Sequence, residues 1–256
     1  MLHRAVPIPD GAGDNHLLTA FPVEVSQRVA PQLESVYLRP GDVIQERCGN
    51  LHHAYFPTST IFSWMYMAED GTTTEVASVG NDGMLGVALF MGGETMLNQA
   101  VVQREGHAYR LSAQVLRNEF GRDEQVKNLL LRYVQFLSIQ MAQLAVCYRH
   151  HSVQQHLCRW ILMNLDRSTG NELNVTQEAI AGMLGVRRES VSGAAFKLQS
   201  NGWIMIGRGR ITVLDREGLE SAVCECYGVA HGEYLRLMPG LVTRSYVRPA
   251  RVSNGR

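Results

Sequence analysis

The sequence predicts an α+β chain in three parts: an N-terminal β-roll of jelly-roll type, a long helix, and a C-terminal helix-turn-helix followed by a basic hairpin. Three observations carry this expectation. Between Ser35 and Leu111, short β-rich runs are separated by PGD, EDGT, GNDG, MGGE and REG, turn chemistry recurring at about ten-residue spacing as in a sandwich or roll. From Val126 to Cys147 the residues Val126, Leu130, Tyr133, Leu137, Gln140, Leu144 and Cys147 follow alternating steps of four and three, the period of a helical seam. Near the C-terminus, VTQEAIAGMLG and VRRESVSGAAFKLQS read as two helices parted by Gly185, with GWIMIGRGRITVLD behind them.

Composition bounds the possibilities. The chain has 256 residues, 45% of them hydrophobic and 19% charged, which suits one or two soluble domains with real cores. Lys+Arg and Asp+Glu are both 24, so any nucleic-acid footprint must be local. The opening MLHRAVPIPDGAGDNH lacks the apolar core of a signal peptide, so a cytoplasmic location is expected. Five scattered cysteines fit a reducing compartment better than a disulfide framework. The uncharged stretch between Arg132 and Arg149 contains Gln135, Ser138, Gln140 and Gln143 and is short for a bilayer, so no membrane partner is expected.

Taken in order, the sequence predicts a short helical segment over Leu17–Leu33, with Pro22 near its start, and then the roll. VYLRPGDVI, HHAYFPTSTIFSWMYM, EDGTTTEVASVGNDG, NQAVVQREG and HAYRL suggest about eight strands. Ser112 is placed to cap LSAQVLRNEF, whose Val115, Leu116 and Phe120 share a side. The long helix is uncharged all round and must be covered on more than one side. A parallel homodimer with Val126, Leu130, Leu137 and Leu144 on its seam supplies one cover, and the β-domain the other. Ser152 and Gln155 have capping-box spacing, which makes RHHS a break and a hinge. The helix after it buries Leu157, Trp160, Ile161 and Leu165. IMI and ITVL flank GRGR, a hairpin with a basic tip. The expected domains are 17–121 for the roll, 122–151 for the dimer helix and hinge, 152–238 for the winged helix-turn-helix, and 239–256 for a flexible basic tail.

Charge is polarised within the C-terminal part. Between Glu172 and Arg210, Arg187, Arg188, Lys197, Arg208 and Arg210 stand against Glu172, Glu178 and Glu189; between Asp215 and Glu233, five acidic residues face Arg216 alone. Positives gathered on one helix and its wing suit a phosphate backbone. An RRE turn alone would be only a solvated turn; the helix, glycine turn and wing beside it favour DNA. No GxSxG, Walker loop or paired carboxylates suggest an enzyme, and no catalytic residue is assigned. The alternative is a β-roll that binds a ligand and signals without touching DNA.

The order of parts, with TQEAIAGMLGVRRESVSGAAFKLQSNGWI and GRGRITVLD, resembles the Crp/Fnr superfamily of bacterial transcription regulators, most closely in the last third. The resemblance implies a homodimer on double-stranded DNA, with RNA polymerase as a further partner if it activates. It implies base readout by Arg187, Arg188, Glu189 and Ser192; Arg can pair with guanine and Glu can accept from cytosine. Where the family often has an arginine four residues after that glutamate, this chain has Gly193. Thr176, Gln177, Lys197, Arg208 and Arg210 are expected at phosphates.

Family members that bind cyclic nucleotides carry a glutamate for the ribose and an Arg-Ser pair for the phosphate. Here Val87 falls at the first position and Asn98 and Gln99 at the pair, with Met141 and Ala142 where the base would be touched. Val87, Asn98, Gln99 and Met141 therefore mark the expected effector pocket, with cyclic nucleotides disfavoured because a buried phosphate would lack a cation. The iron-sulfur branch needs clustered N-terminal cysteines, whereas only Cys48 precedes Cys147. Cys224 and Cys226 lie two apart on an expected helix and so should face apart. His52, His53, His107, His150, His151 and His156 show no HxxxH spacing. No metal and no cofactor is expected.

Overall fold

Among the residues that the computed structural model describes, 14–93 and 95–240, seven strands between Glu34 and Ser112 carry the first half of the chain, where turn spacing suggested about eight. The chain forms two compact units: one reaches Met141 and includes Gly182–Gly185, and the other starts at Ala142 and resumes at Val186. The aperiodic N-terminal residues up to 13, and the basic tail beyond Gly240, lie outside the described residues.

The first unit opens with α1 (His16–Thr19) and α2 (Val23–Val29), two helices in place of the single segment expected. Pro22 sits at the N-cap of α2, where a missing N–H costs nothing. Asn15 caps α1 by accepting from Leu18 N, and its amide donates to the carbonyls of Pro57 and Gly83 at 2.8 Å each. That one side chain pins the N-terminal helices to the roll. Strands β1 (Glu34–Leu38), β2 (Val43–Gln45), β3 (His53–Pro57), β4 (Ile61–Met67), β5 (Thr73–Val79), β6 (Gln99–Arg104) and β7 (Gly106–Ser112) make two antiparallel sheets, ordered β1-β7-β3 and β2-β6-β4-β5. They bury Ala54 and Phe56, Phe62 and Trp64, Ala77 and Val79, and Ala100 and Val102, all at most 2% exposed, and β4 is covered on both faces from Ile61 to Trp64. At the β6–β7 corner Gly106 has φ of 154°, and a Cβ there would lie 2.6 Å from Thr60 N, so only glycine fits.

Helices α3 (Ala88–Met91), α4 (Ala113–Arg122) and α5 (Glu124–His150) close this unit and lead out of it. Ser112 caps α4 as expected, its Oγ accepting from Val115 N. Leu116 is fully buried and Phe120 stacks on Phe90 with ring centroids 4.9 Å apart. Arg28 on α2 grips Glu119 on α4 with two hydrogen bonds of 2.6 and 3.0 Å.

The seam on α5 requires a correction. Val126, Leu130, Leu137 and Leu144, expected between protomers, are at most 3% exposed within the chain itself. On the same stripe the Tyr133 hydroxyl donates to Met84 O at 2.9 Å, and Gln140 Oε1 accepts from Ser78 N at 3.0 Å. This is the core-facing side of α5. A stripe of alternating fours and threes shows that a helix face is covered but not what covers it. The uncovered face carries Leu131 and Val146, each 45% exposed, and with them Gln135, Ser138, Ala142 and Ala145. By length and composition α5 would pass for a membrane-crossing helix; its buried stripe, bonded to β5 through Gln140 and to Met84 beyond that strand through Tyr133, makes it the core helix of this unit.

The second unit is built on α6 (Val153–Asp166). Ser152 and Gln155 form the expected capping box, and Leu157, Trp160, Ile161 and Leu165 are buried. After it come β8 (Glu172–Asn174), α7 (Gln177–Leu184), α8 (Arg188–Ser200), β9 (Ile204–Gly207), β10 (Arg210–Val213), α9 (Arg216–Ala222) and α10 (Glu225–Leu237). Arg216 at the start of α9 donates to Asp166 at 2.6 Å and to Glu220 at 2.7 Å, while the Tyr227 hydroxyl of α10 donates to Asp166 at 2.8 Å. Because Asp166 is largely buried, burial pushes its carboxyl upward; the Arg216 and Tyr227 bonds oppose that. The network fastens the last two helices to the end of α6.

Candidate nucleic-acid interface

Helix α8 turns Val191, Ala194, Ala195 and Leu198 inward, which leaves Arg188, Glu189, Gly193 and Phe196 on its outer side. Arg187 is the N-cap, extended and without a side-chain cap bond. Ser190 N donates to Arg187 O at 3.0 Å, and no side chain caps the amides of Arg188 and Glu189 ahead of it. The Arg188 side chain is 64% exposed, its Nε 4.0 Å from Glu178 Oε2. An exposed pair at that distance is worth at most about 1 kcal/mol, so Arg188 can swing to a ligand at little cost. Phe196, 66% exposed, continues the same side and was not singled out from the sequence. Space around Gly193 is open, with no atom within 4 Å of where a Cβ would stand.

The two helices of the motif are joined by a polar bridge. Ser192 Oγ donates to Gln177 Oε1 at 2.6 Å, so the Ser192 hydroxyl, expected at base edges, is turned toward α7. Thr176 Oγ1 accepts from Ala179 N at 3.1 Å and so caps the start of α7.

The wing is the β9–β10 hairpin with Arg208 and Gly209 at its tip, and β8 pairs with the other side of β10, a third strand not anticipated. Gly209 has φ of 68°, a conformation costly for other residues. Arg208 is exposed, while Arg210 Nη1 lies 3.5 Å from Glu172. Gln199 Oε1 accepts from Ile206 N at 2.8 Å and ties the end of α8 to the wing. Thr176, Gln177, Glu178, Arg188, Gly209 and Arg210 line one open groove. Lys197 is exposed further along α8, away from it.

In the roll, Val87 is 3% exposed and packed at the start of α3. Gln99 Nε2 donates to Glu46 Oε2 at 3.1 Å, which sets a carboxylate beside the position where a cyclic phosphate would need a cation. Asn98 and Met141 are half-buried.

A different grouping corrects the reading of the cysteines. Cys224 is the N-cap of α10 with φ −73° and ψ 161°, so it precedes the helix instead of lying on it. Its thiol and that of Cys226 consequently turn to the same side, and the ligating atoms of Cys147, His151, Cys224 and Cys226 lie within 4.8 Å of one another. Cys147 lies on the last turn of α5, and His151, the residue just after the helix, keeps the helical spacing by donating its N–H to Cys147 O at 3.0 Å, so the two share a face. That spacing was readable in the sequence; the N-cap geometry was not. Hydrogen bonding from Cys147 draws the Cys224 thiol down to about 6, and the same bond raises Cys147.

Residues 155–222 match the Crp-like helix-turn-helix domain family. Among curated proteins no sequence match was found. Three solved structures share the fold over three quarters or so of the chain. A Crp/Fnr-family regulator from Eubacterium rectale has a TM-score of 0.64 at 17% identity, covering 80% of this chain and 96% of that one. FixK2 from Bradyrhizobium japonicum has 0.62 at 16%, covering 75% and 98%. A CRP/FNR-family transcriptional regulator from Thermus thermophilus has 0.59 at 21%, covering 74% and 97%. Residues 155–222 are thus a Crp-like helix-turn-helix domain, the kind of module that binds DNA, set in a fold that transcription regulators share. Outside those residues the likeness to Crp/Fnr-family regulators is one of fold.

Proposed function

We propose that this chain is a cytoplasmic, homodimeric, sequence-specific DNA-binding regulator whose roll senses a signal other than a cyclic nucleotide. The observation that carries it is Arg188, held out at the uncapped start of α8 and opening on the same groove as Thr176, Gln177 and Arg210. In this reading Arg188 and Glu189 meet base edges in the major groove, with Arg187 at the flank. Thr176, Gln177, Lys197, Arg208 and Arg210 hold phosphates on either side. Ser192 acts by holding Gln177. The exposed face of α5, from Leu131 to Val146, is the surface where a second copy pairs. The domains run 17–121, 122–151 and 152–238, and RNA polymerase is a partner if the protein activates.

Binding-site selection with the full chain tests the reading. An inverted repeat with half-sites roughly 34 Å apart is expected. No enrichment, together with weak binding that does not fall as salt rises, would favour a roll that signals without DNA.

A further inference from the structure

Cys147 lies on the last turn of α5 and His151 just beyond its end, and Cys224 and Cys226 flank the first residue of α10. Cys147 Sγ and Cys224 Sγ are 3.6 Å apart, as are Cys226 Sγ and His151 Nδ1. Thiolates bound to zinc at about 2.3 Å in a tetrahedron stand roughly 3.8 Å from one another. The four donors are thus already spaced for a single ion, and three are cysteines at most 3% exposed. An iron-sulfur cluster spreads its ligands over several irons and needs a wider set.

A second observation points the same way. On the far side of the ring, His151 Nε2 lies 3.3 Å from Glu225 Oε1. A histidine with Nδ1 toward thiols and Nε2 on a carboxylate has the orientation that outer-shell carboxylates impose on metal-bound imidazoles. Charge is also accommodated: three thiolates and a divalent ion leave one negative charge, and the guanidinium of Arg159, 5% exposed, acts on Cys147. Cys158, also buried, is not among the converging donors.

We propose that Cys147, His151, Cys224 and Cys226 bind one thiophilic divalent ion, zinc by its chemistry, in a closed Cys3His site that fastens α10 to the end of α5. On binding, three thiol protons leave to solvent, and neutral His151 ligates through Nδ1 while its Nε2–H donates to Glu225. With all four positions filled by protein, the site is structural and not catalytic. It stands whether or not the DNA contacts proposed above are right.

The test uses the reduced full chain. One equivalent of zinc is expected after exhaustive dialysis, and cobalt in its place should give thiolate-to-cobalt charge-transfer bands and the intense visible bands of a tetrahedral site. Competition with a chromophoric chelator should show binding lost in Cys224→Ser and Cys226→Ser and kept in Cys158→Ser. Glu225→Gln should weaken it about 10- to 100-fold. The cobalt spectrum comes from the unaltered protein, so a variant that fails to fold does not decide the outcome. Wild-type protein that takes up neither ion would overturn the proposal. So would metal retained in both serine variants, or a Cys147–Cys224 disulfide that dissolved oxygen re-forms in reduced protein even with zinc present.

Discussion

Replacing Arg188 with alanine separates reading from mere attraction. The side chain is 64% exposed, and the carboxylate beside it, Glu178, is 4.0 Å away and itself exposed. Removing it should therefore change stability by less than about 1 kcal/mol, and the melting temperature should stay close to that of the wild type. On DNA the loss is larger. A bidentate contact to guanine contributes about 1 to 3 kcal/mol, and a two-fold dimer makes two, so the selected site should bind about thirty-fold to over ten-thousand-fold more weakly. Fluorescence anisotropy on the selected site and on every single-base variant of one half-site is the assay. The preference should relax at one base pair per half-site and hold elsewhere. An even loss over all sequences would show that Arg188 grips only the backbone, and the assignment of the reader would fall.

Four other outcomes follow from the same geometry. Arg208→Ala, at the wing tip, should weaken all sequences about equally and lower the salt slope by roughly 0.9 for each phosphate no longer neutralised, measured as log affinity against log salt. Leu131→Asp, on the uncovered face of α5, should give monomers by light scattering without lowering the melting temperature of the roll. Leu137→Asp should instead destabilise the roll, since it would bury a charge at a site 2% exposed; the reverse pattern would restore the seam first expected. Cyclic AMP and cyclic GMP should show no micromolar binding by calorimetry, because Glu46 stands beside Gln99; a micromolar constant for either would mean that another cation pairs with the phosphate.

Much of this was legible because local chemistry and fold agree. Turn residues divided the roll, Ser112 and Ser152 announced their helices, and the glycine turn with GRGR behind it announced the winged domain. What escaped was whatever depends on distant partners. β8 is three residues long and is a strand only because β10 lies beside it. The α5 stripe reported that a cover exists, and the hydrogen bonds of Tyr133 and Gln140 were needed to say which. Cys224 was misplaced by a single residue, across the boundary between an extended N-cap and a helix, and that residue decides where its thiol points.

The bond between Ser192 and Gln177 bears on any attempt to redirect this protein to new promoters. Transplanting another regulator's recognition residues onto α8 would ordinarily treat position 192 as free to vary. Here its hydroxyl also holds Gln177 on the neighbouring helix, for which a phosphate contact is proposed. A graft that overwrites Ser192 would tilt the reader as well as change its letters, so retargeting should begin at Arg188, Glu189 and the vacant Gly193, leaving Ser192 and Gln177 untouched.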